Sequence, residues 1–176
     1  QAHLLQKCGL EEYQMLQGYM NEVEFADETN REGHAAKVYF NALFGKQFTR
    51  TEECPTNAAL NYGYSILLSM FTREVTANGY ITQLGLFHDN MFNPFNLASD
   101  LMEPFRPIVD DLVWNMRPEI FETEEKHQLL QMLGHEVVIA GRTELLENAV
   151  KIYVKSVFDV LENADNAMLR FYRDEL

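Results

Sequence analysis

Apolar side chains recur at helical spacing along most of this chain. Residues three or four apart lie on one face of a helix, so such a run predicts a helix with one buried face. Pro55 and Gly79 bound the clearest run, for which Thr56 or Asn57 is the expected N-cap. Its apolar residues follow one another at intervals of 4, 3, 1, 3 and 4 positions: Leu60, Tyr64, Leu67, Leu68, Phe71 and Val75.

Four further segments show helical spacing less completely. They run from Thr29 or Asn30 to Gly45, over residues 99–115, over residues 143–163 and, most weakly, over residues 3–23. Two stretches, 81–87 and 136–139, have the composition of short strands. The pattern therefore predicts an all-α fold, a helical domain with at most a short β hairpin.

Residues 79–96 form the longest predicted loop. The central sequence GLFHDNMFNPFN mixes aromatic side chains with Asn, Gly and Pro and shows no clear period. Because loops carry binding and catalytic side chains more often than helices do, we expect functional residues in this segment.

Composition and charge limit the classes of function. With 176 residues, of which 47% are hydrophobic, the chain can fill one core, so we expect a single domain. The net charge of −13 disfavours unassisted binding to DNA or to anionic membranes. No apolar run approaches the roughly 18 to 20 residues needed to span a bilayer, and no membrane partner is expected. Two cysteines, Cys8 and Cys54, are too few for a disulfide scaffold and fit a reducing cytoplasm.

Three side chains are candidate metal ligands, and each has a purely structural alternative. Glu32 opens a predicted helix, where it also completes a capping box with Thr29. His88 lies in the aromatic loop, where a hydrogen bond to a carboxylate would equally explain it. Glu103 follows Asp100 by three positions, and both acids suit the start of a helix. Spacing alone leaves these alternatives open.

Three long segments, REGHAAKVYFNALFG, NAALNYGYSILLSMFTREVTANGY and LGLFHDNMFNPFNLASDLMEPFRPIVD, take in most of residues 31–110. They resemble the CRISPR-associated integrases in their type II-A form, and the likeness thins after Val113. In that family a glutamate opening a helix, a histidine after a Gly-aromatic step and an acid beside a D-x-x-[DE] helix bind one divalent cation. The matching positions are Glu32, His88 and Glu103, with Glu at the third position where Asp is commoner.

The resemblance implies a metal-dependent DNA endonuclease and integrase. Such an enzyme inserts spacer DNA into a CRISPR array by attack of a 3′-hydroxyl on a phosphodiester. Two carboxylates and one imidazole suit Mg²⁺ or Mn²⁺, with positions left for water and phosphate. Glu32, His88 and Glu103 would be the catalytic metal ligands, and Asp100 would orient a ligand or a water.

Phosphate contacts require cations near the candidate site. Arg106, three residues after Glu103, is the first candidate, although a surface ion pair with Asp110 is the alternative. The other candidates for DNA binding are Arg31, Lys37 and Arg73.

The resemblance also implies a larger assembly in a prokaryotic cytoplasm. In the family a β-rich N-terminal domain builds a homodimer, and a small CRISPR adaptation protein bridges two dimers on protospacer and repeat DNA. We therefore expect residues 1–176 to be a helical catalytic domain from a longer chain. By itself it should bind metal but fail in complete spacer integration.

Two other classes of protein compete with this interpretation. A di-metal helical bundle needs two Glu-x-x-His pairs, and the sequence holds one, Glu124-x-x-His127. A catalytically silent helical interaction domain would use its Met and Phe side chains for packing and for a partner surface. An enzyme should bring Glu32, His88 and Glu103 together, whereas an interaction domain has no reason to do so.

Overall fold

A computed structural model describes residues 1–23 and 30–173. The predicted all-α fold with a short hairpin is confirmed. The helices are α1 (Ala2–Lys7), α2 (Tyr13–Glu22), α3 (Arg31–Phe44), α4 (Pro55–Ala77), α5 (Asn96–Met102), α6 (Arg106–Met116), α7 (Thr123–Leu130) and α8 (Leu146–Asn163). The strands are β1 (Glu136–Ile139), β2 (Arg142–Leu145) and β3 (Tyr172–Arg173). Within the described ranges, no helix is both long and apolar enough to cross a membrane.

The main core surrounds α4, which packs against α5, α6, α7 and α8. Five of its six predicted apolar residues are buried, with Leu60, Leu67 and Phe71 fully inaccessible, and Leu68 is partly buried. The helix begins at Pro55 with Cys54 as N-cap, so the predicted caps were wrong. Proline suits a first helical position because the amide hydrogen it lacks would have no partner there.

A second, smaller core joins α1, α2 and α3. It is built on Leu4, Leu5, Leu16, Tyr39 and Leu43, and Trp114 of α6 packs against it. The helix predicted over residues 3–23 is two helices, since Gly9 adopts a positive φ of 71° between them. Helix α3 ends before Gly45 as predicted, and the Thr29 half of the proposed capping box lies outside the described residues.

The helix predicted over residues 99–115 is interrupted. Helix α5 ends at Met102, residues Glu103–Phe105 form a 3₁₀ turn, and α6 starts at Arg106. Pro104 and Pro107 explain the interruption, because proline has no amide hydrogen for the helical ladder and clashes with the preceding turn. Glu103 therefore stands at a break between two helices.

The sheet is small and antiparallel, in the order β2-β1-β3. The strand predicted at 136–139 is confirmed, whereas the one predicted at 81–87 is wrong, since that stretch consists of turns and bends. Residues 143–145 belong to β2, so α8 begins at Leu146 and not at Thr143. Helix α7 was not predicted. Its acidic first turn forms a capping box between Glu122 and Glu125.

Candidate metal centre

One cavity of about 820 Å³ opens between the two cores. Glu32, His88 and Glu103 all line it, and so do Asp100 and Arg106. The first lies in the first turn of α3, the second in the loop before α5 and the third at the break before α6. The fold thus brings three separate parts of the sequence to one cleft.

The acidic side chains of this cavity share one electrostatic environment. Burial raises the pKa of the Glu103 carboxyl above its ordinary value. The charges of Arg106 and His88 oppose that rise, whereas those of Glu32 and Asp100 add to it. Since carboxylates that face one another repel, a bound cation would lower the free energy of this arrangement.

The three side chains do not form a ready coordination shell. In the part of the chain that the structure describes, no group of three or more His, Cys, Asp and Glu side chains is spaced to hold a metal ion. The expectation that they converge within a few ångströms is therefore not met. One candidate ligand has another partner, since Glu103 Oε1 lies 2.9 Å from Arg106 Nη2.

Asp100 organises the loop that carries His88. Its carboxylate accepts hydrogen bonds from the backbone amides of Leu86 (2.6 Å), Phe87 (3.0 Å) and His88 (3.1 Å). Burial alone would raise the pKa of Asp100, but these amides and the His88 ring lower it below its ordinary value. The ionised carboxylate favours the proton on Nδ1 of His88, which leaves the Nε2 lone pair for a metal.

Gly85 permits this loop conformation. A Cβ atom there would lie 2.3 Å from the carbonyl oxygen of His88 and 2.7 Å from Asp100 Oδ2, inside van der Waals contact. The side-chain amide of Asn96, a residue that is 3% exposed, stabilises the loop by donating hydrogen bonds to the carbonyls of Gln83 and Asn90 at 2.9 Å each. Neither Gly85 nor Asn96 was predicted to have a role. The Gly-aromatic step before the histidine was the available signal for Gly85.

Arg106 is the cation most directly placed at the cavity. Besides its contact with Glu103, its guanidinium lies 5.1 Å from the centre of the Tyr64 ring. The alternative surface pair with Asp110 is wrong, because Asp110 is 1% exposed and accepts hydrogen bonds from Tyr39 and Tyr64. Arg106 is thus held over an aromatic ring beside a candidate ligand.

The other candidate DNA contacts are less well placed. Arg31 lines the cavity, and its guanidinium lies 3.1 Å from Glu22. Lys37 and Arg73 are not among the residues that line it. Arg73 instead pairs with Glu147 of α8 at 2.8 Å. The structure therefore places two of the four predicted cations at the site.

Sequence reasoning also missed Asp110, which lines the cavity, and its buried partner Tyr39. The sequence suggested Asp110 only as a surface ion-pair partner of Arg106, yet Asp110 is buried. Its position beside Val109 and one turn before Val113, on the apolar face of α6, was the available signal.

Comparison with known sequences places the chain among CRISPR proteins. Residues 10–144 match the sequence family described as "CRISPR associated protein Cas1". A CRISPR-associated endonuclease Cas1 of Neisseria meningitidis is 50% identical over 90 residues, which cover 51% of this chain and 30% of that protein. One of Thermus thermophilus is 38% identical over 91 residues, covering 47% and 29%. The chain thus matches less than a third of the length of these relatives.

Solved structures share the fold at low sequence identity. A "Casposase bound to integration product" superposes with a TM-score of 0.73 at 19% identity, over 93% of this chain and 56% of that one. A "Cas6-RT-Cas1--Cas2 complex" gives a TM-score of 0.71 at 20% identity, over 94% and 21%. Nearly the whole described architecture therefore recurs in larger proteins.

Proposed function

Because this chain belongs to the Cas1 family of CRISPR associated proteins, we propose that it is the catalytic part of a metal-dependent DNA endonuclease and integrase. The observation that carries the proposal is that Glu32, His88 and Glu103 line one cavity, with Asp100 hydrogen-bonded to the histidine ring. The reaction would insert spacer DNA into a CRISPR array.

The donor set fits a hard divalent cation. The carboxylates of Glu32 and Glu103 and the Nε2 atom of His88 would hold Mg²⁺ or Mn²⁺. Bound there, the cation would supply Lewis-acid stabilisation of the charge that develops on a phosphodiester. Arg106 would then exchange its contact with Glu103 for one with a phosphate oxygen, since guanidinium pairs well with either.

The proposed chemistry is a transesterification. A DNA 3′-hydroxyl attacks the phosphorus of a second strand, forming one P–O bond while the bond to the original 3′-oxygen breaks. The proton of the attacking hydroxyl ends on the displaced oxygen. Asp100 keeps the His88 ring in one orientation, and Arg106 places positive charge at the phosphate. One phosphodiester bond replaces another, so the reaction needs no nucleotide as an energy source.

Because the net charge is −13, the proposed function includes a larger complex of proteins and DNA. Few cations face the cavity, so most phosphate neutralisation must come from elsewhere in a larger complex. The proposed partners are protospacer and repeat DNA, a second copy of the full-length protein, and a small CRISPR adaptation protein that bridges two dimers. The proposed location is the prokaryotic cytoplasm.

One observation favours a different class of function. The loop before α5 exposes Met91 by 87% and Phe92 by 85%, as an interaction surface would. A catalytically silent interaction domain would keep that surface but would not need a metal. Mn²⁺ binding therefore separates the two candidates.

The test uses Mn²⁺ titration, followed by electron paramagnetic resonance, and strand transfer on branched DNA that needs one active site. The wild-type chain should bind one Mn²⁺ ion. His88→Ala should abolish both binding and metal-dependent strand transfer while changing the free energy of unfolding by less than about 1 kcal/mol. His127→Ala, an exposed histidine of α7, is the matched control. A His88→Ala variant as active as the wild type, or one that largely unfolds, would contradict the proposal.

A further inference from the structure

The carboxylate of Asp110 lies buried where the two cores meet. It accepts a hydrogen bond from the Tyr39 hydroxyl at 2.6 Å and another from the Tyr64 hydroxyl. Tyr39 belongs to the core of α1, α2 and α3, whereas Tyr64 belongs to the core around α4. One carboxylate thus joins both halves of the molecule.

The candidate metal ligands are divided between the same two halves. Glu32 is carried by α3, which packs mainly on α1 and α2. His88 and Glu103 are carried by the loop and turn that flank α5, which packs on α4. The geometry of the metal site therefore depends on how α3 is placed against the rest of the protein.

Tyr39 fixes α3 close to the face that carries Glu32. The two residues are seven positions apart on one continuous helix, which is about two turns, so they project to similar sides. A movement of α3 at Tyr39 would be transmitted to Glu32, because a helix of this length is stiff. The bond from Tyr39 to Asp110 thus restrains one side of the cavity.

Tyr64 connects Asp110 to the other side. Its hydroxyl is held by the carboxylate, and its ring faces the Arg106 guanidinium at 5.1 Å. Arg106 in turn contacts Glu103 at 2.9 Å. The contacts lead from Asp110 through Tyr64 and Arg106 to the second carboxylate ligand.

Joining two cores through a buried carboxylate costs free energy. Phe40 and Phe44 already pack against both, and apolar contacts would stabilise the boundary without the cost of removing a charge from water. Hydrogen bonds differ in being directional, so they fix a distance that apolar packing leaves adjustable. Asp110 also lines the site cavity itself.

We propose that Asp110, through Tyr39 and Tyr64, is a positioning residue that sets the separation of Glu32 from His88 and Glu103. The affinity of the site for a divalent cation then depends on two tyrosine hydroxyls that do not touch the cation. This inference rests on the proposed function, since it concerns the same metal centre.

Single-oxygen deletions test the inference with little risk to folding. Tyr39→Phe and Tyr64→Phe each remove one hydrogen bond to Asp110 and keep the ring. We expect each to weaken Mn²⁺ binding about 10-fold, in the range found when groups supporting a metal ligand are removed. Tyr153→Phe, a buried tyrosine of the main core beside Phe71, is the matched control and should bind Mn²⁺ like the wild type.

A structural readout accompanies the metal titration. Trp114 of α6 packs against the α1–α3 core and is the single tryptophan of the chain, so its fluorescence reports on the boundary. We expect the emission to shift in Tyr39→Phe and to stay unchanged in Tyr153→Phe. Asp110→Asn, which keeps one acceptor oxygen, should weaken Mn²⁺ binding at least as much as either single tyrosine change.

Three outcomes are distinct. If the wild-type chain binds no Mn²⁺, the proposed function fails, and this inference fails with it. If the wild type binds and both tyrosine variants bind equally well, the positioning role is overturned and the metal site stands. If Tyr153→Phe loses as much affinity as Tyr39→Phe, the effect is general destabilisation, which also overturns the inference.

Discussion

The Nδ1 atom of His88 lies 2.5 Å from the Oδ1 atom of Asp100, while three consecutive backbone amides donate to the same carboxylate. One aspartate therefore fixes both the ring and the backbone of the loop. This arrangement explains why the sequence 81–87, although rich in strand-forming residues, forms no strand. Its amides at 86 and 87 are bonded to a side chain.

Replacing Asp100 with Asn should weaken Mn²⁺ binding more than it destabilises the fold. If the single amide oxygen accepts from the loop amides, the NH₂ group faces Nδ1 of His88 and favours the proton on Nε2. We therefore expect Mn²⁺ affinity to fall about 10- to 100-fold. Titration of Mn²⁺ measures this. Asp89→Asn, an exposed neighbour, serves as the control. Equal affinity of the Asp100 and Asp89 variants would show that Asp100 does not orient the ligand.

Gly85→Ala should destabilise the loop. The added methyl group would overlap the His88 carbonyl and the Asp100 carboxylate, so the loop must move. We expect a loss of about 1 to 3 kcal/mol in the free energy of unfolding, measured by urea denaturation, together with weaker Mn²⁺ binding. Gly18→Ala in α2, where a Cβ meets no atom within 4 Å, should be neutral or stabilising. A fully stable Gly85→Ala variant would refute the close packing.

Asp110 should give the stability of the protein a distinctive pH dependence. Burial raises the pKa of its carboxyl to about 6, against an ordinary value of 3.8, although the Tyr39 and Tyr64 hydroxyls act in the opposite direction. The charge of the Arg50 guanidinium also lowers its pKa. Between about pH 4 and 6 the folded chain holds a proton that the unfolded chain has released.

The contribution of Asp110 to the free energy of unfolding must therefore decrease as the pH rises through that window. At about 1.4 kcal/mol for each pKa unit, the decrease is at most about 3 kcal/mol. Urea denaturation of the wild type and of Asp110→Asn at several pH values measures it, since the asparagine cannot titrate. Parallel stability curves for the two proteins from pH 4 to 6 would contradict the raised pKa.

Arg106→Ala should weaken binding of branched DNA and reduce its dependence on salt. Removing one phosphate contact lowers the slope of the logarithm of affinity against the logarithm of salt concentration by about 1. Arg73→Ala removes the same charge from an arginine that pairs with Glu147 outside the cavity, so its slope should equal that of the wild type. If Arg73→Ala lowered the slope and Arg106→Ala did not, the DNA would bind on another face of the protein.

The sequence predicted the helices whose apolar spacing is closed by a clear stop signal. Helices α3 and α4 show such spacing and end close to Gly45 and Gly79 as expected. The pattern over 99–115 continues across Pro104, so periodicity could not reveal the break that positions Glu103. Helix α7 has few apolar residues, so periodicity did not predict it, although Glu122 and Glu125 form its capping box.

The residues of the candidate site could not be selected from apolar spacing. Each of Glu32, His88 and Glu103 had a structural explanation of its own, and only the resemblance of the surrounding segments selected them together. The family is confirmed by the match over residues 10–144, whereas the ligand roles remain predictions. The bonds of Asp110 to Tyr39 and Tyr64, 71 and 46 positions away, could not be predicted, although its place on the apolar face of α6 pointed to burial.

The candidate site is supported by strand β3, which is synthesised after the rest of the site. The Tyr172 hydroxyl donates to the Pro104 carbonyl at 2.9 Å, and its ring lies 4.5 Å from that of Phe105, so this strand supports the turn that carries Glu103. On the ribosome the turn emerges 68 residues before its support does. A nascent chain would therefore acquire a fully supported candidate metal centre only when residue 172 has left the exit tunnel, long after Glu32, His88 and Glu103 have done so.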